Sequence, residues 1–387
     1  MHGIDCTDSA SSAMAGLAEG LTAAAEPVAR PPTELTRCLC SYAASMAVIL
    51  AGAFFYTALS PYYTALYRLS WRPALHGHAL SFTIDTAAVL WSFAALYALV
   101  LPPYYALRRG RWSNAGTLMT TLWRVGRRKR RAISEQEKQA MLCLLLKCIF
   151  IPFCLHGLFA YLAFINDRLV ALPDGLAARD WFALYNNHVH ILTLNVIFLI
   201  DFLPFVVGYL VQARALDNDV VSVDASAGGW MACLACYPPF NGAVALLLPW
   251  QIVELAPVYP AFSATAHMLV NGMLLAFFAC YAWTSVSLGF KCSNLMHRGI
   301  VHRGLYRHVR HPAYLFKNLA WWTGALPLLA SLAQTSAIGL FWTLLCMAGW
   351  SGVYLLRALC EERHLAQHAD YRAYMQRVPY RFIPGVF

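Results

Sequence analysis

Six long apolar stretches, at roughly 39–60, 83–104, 141–165, 189–212, 265–289 and 335–357, limit what this chain can fold into more than any other feature. Each is close to the roughly 20 residues that an α-helix needs to cross about 30 Å of hydrocarbon. Lipid offers no partner for backbone N–H and C=O groups, so a crossing segment must bond to itself as a helix. Two further stretches are less tidy: 240–258 carries Pro249, Glu254 and Pro257, and 313–332 carries Lys317 and Pro327. Counting both, the sequence predicts an all-α, polytopic integral membrane protein of about eight transmembrane helices. Composition agrees. Only 12% of the residues are charged and 59% are apolar, against about a quarter charged in a soluble domain.

The net charge of +10 lies between the apolar segments, where basic residues orient a membrane protein and meet anionic headgroups. The partner it implies is the membrane, with no nucleic acid. Between the second and third spans, ten lysines and arginines from Arg108 to Lys138 stand against Glu135 and Glu137 alone. This segment is expected in the cytoplasm. Eight crossings then place both termini there, with the basic loop 290–312, and put the acidic loop 166–188 outside. The expected location is a bacterial inner membrane. Residues 1–36, rich in Ala, Ser, Glu and Pro, read as a mobile cytoplasmic arm; 37–260 and 261–387 read as two membrane domains. The run TTLWRVGRRKRR (120–131) mixes aromatics with arginines like a helix lying on headgroups.

Ionisable side chains inside spans are costly, so each is a functional candidate by default. Lys147 and Asp201 stand near span ends or can snorkel. Glu254 and His267 are expected to pair near the outer surface. Lys317 lies one helical turn beyond RGLYRHVRHP (303–312), where Pro312 suits a first helical turn and the helix start offers an anion site. Of the four histidines His297, His302, His308 and His311, only H-x-x-H at 308–311 resembles a metal box of the kind that holds iron, so no metal is expected. Cys233 and Cys236 form a C-x-x-C with no second pair, for which packing is the better reading. Around them GGWMACLACYPPFNG (228–242) has the Gly, Pro and aromatic content of a broken or re-entrant segment. Tyr237 and Asn241 in it, with Trp321, are expected to contact an acceptor substrate.

Three ordered motifs then stand out. They are G-x-Y-x-x-x-R-H-P-x-Y (Gly304, Tyr306, Arg310, His311, Pro312, Tyr314), E-E-x-x-L (Glu361, Glu362, Leu365), and Y-x-x-Y (Tyr371, Tyr374) followed by VPYRFIP at 378–384. Together they resemble the isoprenylcysteine carboxyl methyltransferase family of integral membrane enzymes. The resemblance covers about residues 265–387. Phospholipid N-methyltransferases and sterol reductases share the broader architecture. The resemblance implies a cytoplasmic C-terminal region that binds S-adenosyl-L-methionine through Arg310, His311, Tyr314, Glu361 and Glu362; Tyr306 is expected to join them as an aromatic face, and Arg310 and Glu362 to serve catalysis. It also implies methyl transfer to a lipid or lipid-like acceptor, with carboxyl O-methylation favoured. The rival readings are N-methylation of a phospholipid, a sterol-type reductase, and a non-catalytic transporter or sensor. Phe316 stands where the family often has glycine, which bears on how closely a ligand can approach the backbone.

Overall fold

The structure is a computed structural model that describes residues 33–75, 78–79, 83–108, 112–127, 132–249 and 262–386. Most of the N-terminal arm lies outside those residues, and so does Glu254, the expected partner of His267. The chain is an all-α polytopic membrane protein. Among the described residues, six helices are long and apolar enough to cross a membrane. They are α1 (Glu34–Phe54, carried on through a π-turn to Leu59), α2 (Thr86–Leu107), α4 (Glu135–Ala177), α5 (Ile191–Leu210), α8 (Ala264–Leu288) and α10 (Ala337–Leu365). A seventh, α9 (Pro312–Thr335), has 24 residues, or about 36 Å, and reaches across by length although Lys317 and Asn318 make it less apolar. The shorter helices include α3 (Asn114–Gly126), α6 (Ala227–Leu234), α7 (Phe240–Leu247) and α11 (Ala369–Arg377).

Local chemistry explains the boundaries. Ser134 caps α4 in a capping box, with its hydroxyl accepting from Glu137 N–H and the Glu137 carboxylate accepting from Ser134 N–H; two orphan donors are satisfied at once. The same carboxylate takes Arg124 of α3 at 2.8 Å, which ties the expected interfacial helix to a spanning one. Ser263 and Ser336 cap α8 and α10, and Pro312 opens α9 at its first position, where its missing N–H costs nothing.

Contacts between helix ends establish direction. At one end of the bundle Gln139, near the start of α4, exchanges hydrogen bonds with the backbone of Val223. Ser222 and Val223 in turn pair antiparallel with His297 and Met296. The Gly208 carbonyl, near the end of α5, accepts from Arg298 at 2.7 Å. The opposite end is marked by Asn271 of α8 donating to Asn186 at 2.7 Å. His267 lies beside that pair, buried against Phe182. The starts of α4 and α9 and the ends of α5, α8 and α10 therefore share one end.

Of the eighth expected stretch, 240–258, residues 250–258 lie outside the described residues, and the described part is interrupted. The chain leaves the shared end at Val223 and passes through α6 and α7, and α8 begins at the other end. Helices α6 and α7 have eight residues each, about 12 Å apiece, and the Leu248 carbonyl accepts from Trp350 Nε1 at 3.1 Å, halfway along α10. The core crosses the expected domain boundary. Leu194 and Phe198 of α5 pack with Leu274 and Phe278 of α8, Ala320 and Trp321 of α9, and Trp350 and Tyr354 of α10.

This arrangement makes a prediction for labelling. Single cysteines at Ser134, Arg307 and Arg377 should react with a membrane-impermeant maleimide from one side, and cysteines at Ala178 and Thr335 from the other. If Ser134 and Arg307 label from opposite sides, the helix directions above are wrong.

Candidate functional site

The three motifs converge on one carboxylate. Glu362, in the last turn of α10, accepts from Arg310 Nε at 2.7 Å, from His311 Nε2 at 3.2 Å and from Arg381 Nε at 2.8 Å. Arg310 also donates through Nη1 to the carbonyls of Val378 and Pro379, at 2.8 and 2.6 Å. The Arg310 and His311 backbone N–H groups donate to the Tyr380 and Arg381 carbonyls. Tyr374 on α11 closes the ring by donating to the Tyr306 carbonyl at 2.7 Å. Arg310, His311 and Glu362 are all buried. An ion pair this deep needs several hydrogen bonds to offset desolvation, and here each charged group has two or more partners.

Glycine matters at one point of this loop. Gly304 has φ +61°, and a Cβ there would stand 2.2 Å from the Ser287 hydroxyl oxygen of α8. Only glycine meets both demands.

Beside this cluster lies a cavity of about 200 Å³. Tyr306, Arg310, His311, Tyr314 and Glu361 line it, and so does Tyr237. Glu362 stands behind them. Trp321 and Asn241 do not line the cavity; Trp321 sits in the core against Trp350 and Tyr354. His308 is exposed and His311 is buried, so the H-x-x-H residues do not face a common point.

Arg357 is a cavity residue that the sequence reading missed. It is buried and donates to Asn294 Oδ1 at 2.5 Å and to Glu361 Oε1 at 3.3 Å. Its guanidinium also lies over the Tyr237 and Tyr314 rings. Tyr314 donates to the same Glu361 carboxylate. The available signal was an arginine one turn before the paired glutamates, inside an apolar span.

Deeper along the cavity, Lys317 is surrounded by Tyr281, Trp321 and Tyr354 at 5.3–5.6 Å. Cation–π attraction supports an ammonium in such a place. Asp201 is buried and bonded to Ser285 in the same region.

Outside the spans, burial pushes the Tyr306, Tyr371 and Tyr374 phenols well above their ordinary range, so all three remain proton donors. Burial lowers the pKa of His297, more than the nearby Asp370 raises it. His297 Nε2 approaches Asp370 Oδ2 at 3.2 Å, and its ring packs on that of His368. Ser222 joins the group through His364 and His368. This cluster holds α11 against the short strand pair.

The arrangement thus offers a cation and a carboxylate side by side among aromatic faces, and an apolar interior beyond them. A family model described as "Protein of unknown function (DUF1295)" matches residues 243–378, which contain Gly304 to Tyr314, the paired glutamates and both tail tyrosines. No curated protein and no solved structure matches the chain.

Two outcomes follow. Glu362→Gln leaves two arginines without their anion and should cost about 3–5 kcal/mol, the range for breaking a buried pair. Glu361→Gln, at a more exposed carboxylate that meets one arginine, should cost clearly less. Thermal melts in detergent check both, and equal melting of the two variants would remove Glu362 from the centre of the cluster. For His297, the unfolded chain takes up a proton near pH 6.5 while the folded state resists it, so stability falls as pH drops below that value. Melts at pH 7.5 and 5.5 should show this loss, and His297→Gln should reduce it.

Proposed function

We propose that this chain is a membrane-embedded methyltransferase. In this reading it binds S-adenosyl-L-methionine in the cavity beside Glu362 and methylates a lipid or lipid-like acceptor, preferably on a carboxylate oxygen. The reading rests on the motif resemblance, and one observation carries it furthest. A single cavity runs from a polar end, with Arg357, Glu361, Tyr314 and His311, to an aromatic end at Tyr281, Tyr354 and Lys317 within the membrane core.

The donor set fits the cofactor. Arg357 is the cation suited to an amino-acid carboxylate, Glu361 is the anion suited to an ammonium or ribose hydroxyls, and tyrosine faces suit adenine and a sulfonium. Arg310 is more fully engaged by Glu362 and the tail than the motif alone suggests. Its expected grip on the cofactor is therefore reassigned to Arg357, and Arg310 and Glu362 become positioning residues.

When bound, S-adenosylmethionine supplies a methyl group on positively charged sulfur. The protein's work is then mainly alignment and the exclusion of water. A carboxylate acceptor is already anionic and needs no general base. It needs only a cation near its headgroup, and Lys317 is placed for that.

Calorimetry with the full chain in detergent tests the reading. S-adenosylmethionine should bind, and Arg357→Ala should weaken it by about 1.5–3 kcal/mol, the range for a hydrogen bond to a charged group. Arg357→Lys should recover only part of the loss, since an ammonium cannot reproduce the planar fork. Binding of a nicotinamide dinucleotide with no S-adenosylmethionine binding would favour the reductase reading instead.

A further inference from the structure

A second cavity, of about 540 Å³, lies between α1, α2, α4 and the end of α5. It has no lining residue in common with the site described above. Its interior is apolar, walled by Val48, Ile49, Leu90, Phe93, Val100 and Ile151. Its other end carries Arg108, Lys147 and Gln212. Arg108 directly follows α2 and Gln212 stands two residues past α5, so this end lies at the level where helices leave the hydrocarbon. Lys147 starts deeper on α4 and reaches that level, donating to Gln212 Oε1 at 3.3 Å. That is how a long cationic side chain behaves in a membrane.

The charges at this end are not neutralised from within. Among the described residues, neither Arg108 nor Lys147 has a carboxylate within 4 Å. Arg108 lies over the Tyr104 ring at 5.3 Å. Asp219 accepts from Gln212 Nε2 at 3.4 Å and leaves both cations to other partners. Two cations at the interfacial mouth of an apolar cavity complement an anion that carries a hydrocarbon chain.

We infer that this cavity is a binding site for an anionic phospholipid, with its phosphate between Arg108 and Lys147 and one acyl chain along the apolar walls. The lipid is a bound constituent and not the methyl acceptor. Tyr209, wholly buried, lines this cavity, and its hydroxyl accepts from the Asn294 N–H at 2.7 Å. Asn294 lines the other cavity and holds Arg357. The two spaces are thus separated by a packed wall, and the inference stands whatever reaction the first cavity supports.

The test uses the full chain, delipidated in a neutral detergent, with native mass spectrometry and titration as readouts. Phosphatidylglycerol should be retained at one per chain, and phosphatidylcholine with the same acyl chains should bind roughly tenfold or more weakly. Glycerol 3-phosphate, which has the anion without the chain, should not bind. The Arg108→Gln, Lys147→Gln pair should weaken phosphatidylglycerol roughly tenfold to thirtyfold, as expected for two interfacial charges. A second variant leaves the charges intact: Gly52 lines the cavity, and a Cβ there meets nothing within 4 Å, so Gly52→Leu should occupy acyl space and also weaken binding. Equal retention of both lipids, or full retention by both variants, would mean annular lipid only and overturn the site. Tight binding of glycerol 3-phosphate would overturn it too, in favour of a free-anion site.

Discussion

Glu362 is the anion on which the C-terminal half is assembled. It sits in the last turn of α10 and draws Arg310 and His311 from the loop before α9 and Arg381 from the tail. Three segments far apart in the chain are held by one carboxylate, and the backbone hydrogen bonds from Arg310 and His311 to Tyr380 and Arg381 complete the attachment. A buried charge of this kind is stable only while every partner is present. The cluster therefore acts as a single unit. The cavity beside it inherits its shape, because His311 and Tyr314 are positioned by that loop and Glu361 by the adjoining residue of α10.

The pairing explains how two neighbouring glutamates take different work. Glu362 faces the loop and tail and is saturated by three basic groups. Glu361 faces the cavity and is met by Arg357 and Tyr314. Adjacent residues on a helix point about 100° apart, so an E-E pair presents one carboxylate to the frame and one to the cavity. Substitution at these two positions should accordingly separate folding from binding.

The interrupted segment from Val223 to Leu248 has a comparable origin. A straight helix in its place would fill the space where Tyr237 meets Arg357 and the Phe150 and Phe153 rings. The break between α6 and α7 brings Tyr237 to the cavity wall. Irregular backbone at membrane depth is tolerated where protein covers it, and here α4, α10 and the strand pair of Ser222–Val223 with Met296–His297 do so.

Much of this architecture was legible in the sequence. Long apolar stretches state that helices cross a membrane, because hydrocarbon thickness and helix rise leave little freedom. The GG…PP composition of 228–242 announced a break, and the spacing of the R-H-P, E-E and Y-x-x-Y motifs announced that they meet. Which atoms meet was not legible. Arg357 carries no motif of its own, and only the packing of α10 against Asn294, Tyr237 and Tyr314 makes it a cavity cation. Lys147 and Arg108 read as anchoring charges, and only the distance between α1, α2 and α4 leaves a cavity below them. Chain-local periodicity specifies each helix and its apolar length. Most partners of a buried charge, such as Arg310 with Glu362 and Arg357 with Asn294, come from distant parts of the chain and meet only once the helices have packed.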